Sequence, residues 1–249
     1  NNSCAVVNGG VRCWGVANLG QLGVPITGNV SLIPVQTIAE DSNATAIGVG
    51  YYHACAVVNG GVKCWGSNPV GGPVNGTEAS TADQVQTLAP GRGVTAIEVG
   101  DNHSCAIVDG GVKCWGENYY GQLGNGQFNT DPPYYVATPV QAIAPGSNVI
   151  AVSAAIRHTC AVVDGGVKCW GDNEYGQLGN GNTTSSAVPI QVIAAGSNVT
   201  AVAAGNLHTC AIVDGGVRCW GHNFYGQFGI GSKTENASGG TLPVQTIAP

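Results

Sequence analysis

Residues Cys4–Gly15 read CAVVNGGVRCWG, and the same string returns with small changes from Cys55, Cys105, Cys160 and Cys210. An Asn-Gly or Asp-Gly pair between alternating apolar residues is the strongest short-range hairpin signal, because a type I′ turn needs positive φ at both central residues. With Asn8-Gly9 as the loop, Val7 faces Gly10, Val6 faces Val11, Ala5 faces Arg12 and Cys4 faces Cys13. Counting outward from the turn, the two cysteines form a non-hydrogen-bonded pair, where opposed Cβ atoms lie closest. That separation suits a disulfide. The expectation is a bridge in every copy: Cys4–Cys13, Cys55–Cys64, Cys105–Cys114, Cys160–Cys169 and Cys210–Cys219. The competing reading is a metal site, since His53 and Cys55 share a strand face. It fails in the first copy, which keeps both cysteines but carries Asn2 in place of the His, and no C-x2-C spacing occurs.

Downstream of each hairpin lies a G-Q-L-G-like turn (Gly20–Gly23, Gly121–Gly124, Gly176–Gly179, Gly226–Gly229), then a Pro-Val-Gln-like strand (Pro34–Ile38, Pro139–Ile143, Pro189–Ile193, Pro243–Ile247). The second copy departs, with Pro-Val-Gly-Gly at Pro69–Gly72 and Asp83 in place of the Pro. Small apolar stretches at Thr45–Val49, Thr95–Val99, Ile150–Ala154 and Thr200–Ala204 supply first strands; the first unit has none. Units of four short strands, each with a Trp-Gly landmark, predict an all-β chain. Its architecture is a β-propeller of four-stranded antiparallel blades, with five repeats present, read as part of a larger ring or, in the alternative, of a repeat array. They fall at about 1–44, 45–94, 95–149, 150–199 and 200–249 and are read as a single repeat domain. Trp14, Trp65, Trp115, Trp170 and Trp220 share one repeat position and are packing residues between sheets.

The pattern G-x-x-H-x-C-A-hydrophobic-x-D-G-x-V-x-x-W-G-x-N-x-x-G-Q-L-G resembles the repeat of the regulator of chromosome condensation family across nearly the whole chain. That resemblance implies propeller blades. Its cysteine pairs resemble those of secreted bacterial versions. Family propellers usually have seven blades, against five hairpins here. Known relatives include a nucleotide-exchange factor for a nuclear GTPase and bacterial inhibitors of β-lactamase. An exchange role conflicts with oxidised cysteine pairs, which belong to secreted compartments.

Composition narrows the partners. The net charge of −6 argues against nucleic acid or an anionic membrane surface, and no apolar run is long enough to span a bilayer. The sequence has no Met, so a removed leader or a longer parent protein is expected. Asn-x-Ser/Thr triplets at Asn1, Asn29, Asn43, Asn75, Asn102, Asn182, Asn198 and Asn236 lean towards a glycosylated, extracellular or cell-surface protein.

Catalytic chemistry finds little support. His53, His103, His158 and His208 recur at one repeat position, the habit of a structural hydrogen-bonder. His222 stands alone after Trp-Gly with no nucleophile beside it, and Glu117, Asp172 and Glu174 read as solvated loop carboxylates. Arg12, Lys63, Lys113, Lys168 and Arg218 are one position on a solvated strand face. No enzyme, metal or cofactor site is expected. Strand parity puts the first-to-second and third-to-fourth loops on one side, and every Tyr and Phe falls in those loops or at their edges. Those outside the repeat pattern, Tyr51, Tyr52, Tyr119, Phe128, Tyr134, Tyr135 and Phe224, are the candidate binding face, with packing of the longer loops as the alternative. The expected role is an extracellular binder of a protein or glycan. The alternative is a structural subunit of a surface layer, sheath or filament in which copies of the chain complement one another's sheets.

Overall fold

In the computed structural model, residues 2–67, 81–233 and 240–249 are described. The repeat becomes five antiparallel sheets. The first holds three strands, β1 (Asn2–Val7), β2 (Gly10–Val16) and β3 (Val30–Ile38). The second has β4 (Ala44–Val49), β5 (His53–Val58), β6 (Gly61–Gly66) and β7 (Thr81–Leu88), and the third β8 (Val94–Val99), β9 (His103–Val108), β10 (Gly111–Glu117) and β11 (Tyr135–Ile143). The fourth has β12 (Val149–Ala154), β13 (His158–Val163), β14 (Gly166–Gly171) and β15 (Ser186–Ile193), and the fifth β16 (Val199–Ala204), β17 (His208–Val213), β18 (Gly216–Gly221) and β19 (Gly240–Ile247). Among the described residues no helix is long and apolar enough to cross a membrane.

The hairpins follow the expected register. Cys4 pairs with Cys13 and Val7 with Gly10, around a turn with φ of 49° at Asn8 and 68° at Gly9. Asn and Gly are the residues that enter this region at least cost, which is why the turn closes here. All five cysteine pairs are bonded, each across Cα atoms 4.1 Å apart, the narrow rung of an antiparallel ladder. The strands run further than the sequence predicted: His208 and Thr209 already pair with Gly221 and Trp220, so the ladder extends beyond the bridge.

The third-to-fourth strand pairing is bulged at two repeated places, Val11/Arg12 and Cys13/Gly15 in the first sheet. A bulge leaves ladder carbonyls without strand partners. The Gln of each Pro-Val-Gln-like strand satisfies them. The Gln36 side-chain amide donates to the carbonyls of Val11 and Ile38. Gln86, Gln141, Gln191 and Gln245 repeat this on Val62 and Leu88, Val112 and Ile143, Val167 and Ile193, and Val217 and Ile247.

The chain divides into two compact units: Asn1–Asp109 with Lys113–Glu117 and Asp131–Val140, and Gly110–Val112 with Asn118–Thr130 and Gln141–Pro249. In the first unit, neighbouring sheets bury Val11, Leu22, Ile38, Ala56, Val58 and Trp65 together. In the second, Val162, Val167 and Leu178 meet Val199, Val213 and Trp220. Polar locks accompany this apolar packing. Trp65 donates its indole N–H to the Gln21 carbonyl at 3.1 Å. Trp170 and Trp220 do the same to Gln122 and Gln177 at 2.9 Å. His53 Nε2 lies 2.7 Å from the Ser104 hydroxyl, and His158 Nε2 lies 2.9 Å from that of Thr209. Each link joins one blade to the next, so the recurring His is a fastener. Burial, then the neighbouring His103 charge, pushes the His53 pKa down to about 3, and burial takes His103 to about 4. Both rings are therefore neutral at physiological pH.

Candidate binding loops

The loops that follow Trp-Gly are built by one asparagine. Asn118 Oδ1 accepts from the Leu123 amide, while its Nδ2 donates to the Gln127 carbonyl and to Oδ1 of Asn125 and Asn129. Asn173 holds Leu178, Asn180, Asn182 and Thr184 in the same way, and Asn223 holds Phe228 and Ser232. The next repeat position is fixed by Gln: the amides of Tyr120, Tyr175 and Tyr225 donate to Oε1 of Gln122, Gln177 and Gln227. A buried amide side chain thus braces each loop, and the adjoining aromatics stand on a rigid base.

In the first unit, Tyr51 and Tyr52 occupy the β4–β5 loop, edge to face at 4.6 Å, with Tyr51 exposed and Tyr52 half-buried. Tyr134 is exposed at the entry to β11 and Tyr135 is its first, half-buried residue. In the second unit, Tyr119 packs edge to face on Tyr120 at 5.0 Å, and Phe128 is exposed further along the same loop. A further aromatic gathering surrounds Phe224. Phe224 meets Tyr225 edge to face at 5.1 Å, and His222 lies 6.0 Å from Tyr225 and 6.1 Å from Phe224. Tyr175, from the preceding blade, meets His222 at 5.4 Å. Lys233 Nζ sits 5.5 Å from the Phe224 ring, and Phe224, Tyr225, Ser232 and Lys233 line an open cleft of ≈ 560 Å³.

Three members of these groups were not expected from the sequence. Tyr225 shares one repeat position with Tyr120 and Tyr175 and so falls outside the candidate binding face, yet it is 83% exposed. Arg157, from the β12–β13 loop, lies 4.6 Å from the Tyr120 ring, and Lys233 covers Phe224. Both are cation–π contacts between residues far apart in sequence or loop, which no local pattern announces.

The acidic candidates serve the loops. Glu117 accepts from Asn102 Nδ2, and Asp172 is buried, accepting from the Glu174 amide and the Ser185 hydroxyl. The Gln227 amide donates to His222 Nδ1 at 2.8 Å. Burial, then the His222 charge, lowers the His208 pKa. Among the described residues no group of three or more His, Cys, Asp or Glu side chains is placed to hold a metal ion. Of the glycosylation candidates, Asn29, Asn43, Asn182 and Asn198 are exposed and Asn102 is half-buried, its amide bonded to Glu117. Asn1, Asn75 and Asn236, with the altered turn Pro69–Gly72, lie outside the described residues.

Known proteins share this arrangement. Human WBSCR16 superposes with a TM-score of 0.80 at 22% identity, covering 94% of this chain and 65% of that one. Prp20p of Saccharomyces cerevisiae superposes at 0.76 and 20% identity, covering 100% of this chain and 61% of its own. The ectodomain of the Physcomitrella patens receptor kinase CR4 reaches 0.54 at 21% identity, over 93% of this chain and 52% of that one. The chain therefore spans less than two thirds of each. At these identities the likeness carries the fold, a β-propeller of four-stranded blades. Two sequence models described as the regulator of chromosome condensation (RCC1) repeat match residues 109–162 and 164–212, and 44–71, 94–122, 149–177 and 199–227. With repeats matched over most of its length and the sheets to go with them, this chain belongs to the RCC1 repeat family.

Proposed function

We propose that the protein is an extracellular, non-enzymatic propeller that binds a protein or glycan through its aromatic loops. The observation that carries the reading is the cluster of Tyr175, His222, Phe224, Tyr225 and Lys233 beside an open cleft. Rigid aromatic rings offer large contact area at low conformational cost, and braced loops keep them in place before a ligand arrives. The five disulfides support an oxidising compartment. A binding role also agrees with the family: Prp20p is described by its binding properties to Gsp1p and histones, and yeast RCC1 by its complex with Kap60.

The test is a glycan array run in parallel with affinity capture from an extracellular protein fraction, using the oxidised chain and the double variant Phe224→Ala/Tyr225→Ala. A hit on either arm whose affinity falls at least tenfold in the variant supports the reading; loss of one hot-spot aromatic is commonly worth that much. A hit that the variant binds equally well moves the site elsewhere, and the second-ranked loop, Tyr51–Tyr52, is then the next to replace.

A further inference from the structure

Just ahead of the recurring His stand Tyr52, Asn102, Arg157 and Leu207, so only the fourth blade places a cation there. In all four blades the carbonyl of this residue accepts from the amide that follows Trp-Gly, in Ser67, Glu117, Asp172 and His222. The two positions are therefore neighbours. In the third blade their side chains meet, Asn102 Nδ2 donating to Glu117 Oε2 at 3.1 Å. The same positions in the fourth blade hold Arg157 and Asp172, a pair that could neutralise itself. Asp172, one methylene shorter than Glu117, instead lies buried against the Glu174 amide at 3.2 Å and the Ser185 hydroxyl at 3.5 Å. Arg157 turns to Tyr120, its guanidinium 4.6 Å from the ring centroid, with no ion pair or hydrogen bond on that group among the described residues. Stacking on a ring positions a guanidinium and leaves its in-plane N–H fork unspent.

Rings and amides surround that fork, all within the second compact unit and away from both ends of the chain. The loop that carries Tyr120 leaves the third blade and seats on the fourth, where the Gly126 amide donates to the Ala187 carbonyl at 2.8 Å. Tyr119 packs on Tyr120 and is 42% exposed. Phe128, 47% exposed, leans on Gly121, where a Cβ would come within 2.9 Å of its ring. On the same loop Gln127 and Thr130 are exposed and Asn125 is half-buried. Asn125 spends its Oδ1 on the brace from Asn118 and on the Gln127 amide, and its Nδ2 has no partner among the described residues.

We propose that this loop binds a uronic-acid glycan, its carboxylate on Arg157 and its sugar rings against Tyr119 and Phe128. The planar guanidinium fork matches a carboxylate through two parallel hydrogen bonds. A pyranose ring has apolar C–H faces, which rest on aromatic rings, and a rim of hydroxyls, which amide and hydroxyl side chains such as Gln127, Asn125 and Thr130 can meet. A protein partner fits less well, because the centre of a protein interface is apolar and dry, whereas here the rings stand among open amides and hydroxyls. The proposal rests on the reading of the aromatic loops as a ligand-binding surface, and it uses a different loop from the Phe224 cluster.

Titration calorimetry of the oxidised chain in EDTA tests it, with oligogalacturonate and hyaluronan oligosaccharides, each beside its own methyl ester. The native chain should bind at least one of the acids, and the matching ester about tenfold more weakly, since esterification keeps the sugar and removes the charge. Arg157→Leu should lose affinity for the acid to the same extent. Arg157→Lys should lose less, because an ammonium keeps the charge without the fork. Tyr119→Ala should weaken binding several-fold, and Phe224→Ala/Tyr225→Ala should leave it unchanged. Circular dichroism and the absence of free thiols report folding; if Arg157→Leu misfolds, Arg157→Lys and Tyr119→Ala carry the test. Binding of neither acid, equal binding of acid and ester, or full affinity in the Arg157 variants overturns the proposal. So does a loss confined to Phe224→Ala/Tyr225→Ala, which would move the acid to that cluster. A neutral glycan or a protein held at Phe224 while both acids fail would sink this proposal and leave the broader ligand reading standing.

Discussion

A single buried imidazole shows how a residue type is chosen by its neighbour. His53 is neutral, fully buried and within hydrogen-bond distance of a hydroxyl on the following blade. Its pKa is held at about 3, against about 6.5 in an unfolded chain, so acid favours unfolding: the unfolded form takes up the proton first. Stability is full above about pH 6.5 and falls from there toward pH 4, by about 1.4 kcal/mol per pH unit for each such histidine. Guanidinium unfolding at stepped pH should show this slope, and His53→Asn should remove one histidine's share. The asparagines of the loops make the complementary case. Asn173→Ala leaves the buried Leu178 amide and the carbonyls of Asn182 and Thr184 without their partner. The variant should unfold with roughly 1–3 kcal/mol less stability. The recurrence of these residues was legible in the sequence, but their partners were not: the hydroxyl that meets His53 lies fifty-one positions away on another sheet.

Hairpins were the most readable elements, because a two-residue turn with positive φ fixes register by itself. From Asn8-Gly9 the pairing of Cys4 with Cys13 follows without any knowledge of the rest of the molecule. Where the fourth strand joins, the sequence says less. Its double bulge depends on the sheet twist, and the role of Gln36, whose amide meets the carbonyls of Val11 and Ile38, appears only once those carbonyls lose their ladder partners. The same limit applies to the loops. Aromatic residues can be placed in them by strand parity, while the repeat position shared by Tyr120, Tyr175 and Tyr225 does not tell that the first two are half-buried and the third is exposed. Each bridge closes a short hairpin, so replacing Cys105 and Cys114 together by Ser should cost roughly 2–3 kcal/mol by loop-closure arithmetic. Chemical denaturation of the double variant measures it directly.

At the scale of the molecule, protection should track how thoroughly a blade is covered. β5, β9 and β13 are buried at every position, whereas β1 has no buried position and β17 alternates buried with more open residues. Hydrogen exchange should therefore be slowest in β5, β9 and β13 and faster in β1 and β17; equal rates throughout would mean that the outer blades are shielded by something else. The disulfides bear on the whole chain in a different sense. Every bridge joins residues nine apart and none links one blade to another. Oxidation therefore leaves the polypeptide topologically a string of small closed beads: a protease cut between blades frees two fragments without any reductant, and a duplicated blade would arrive with its own partner thiol already in reach.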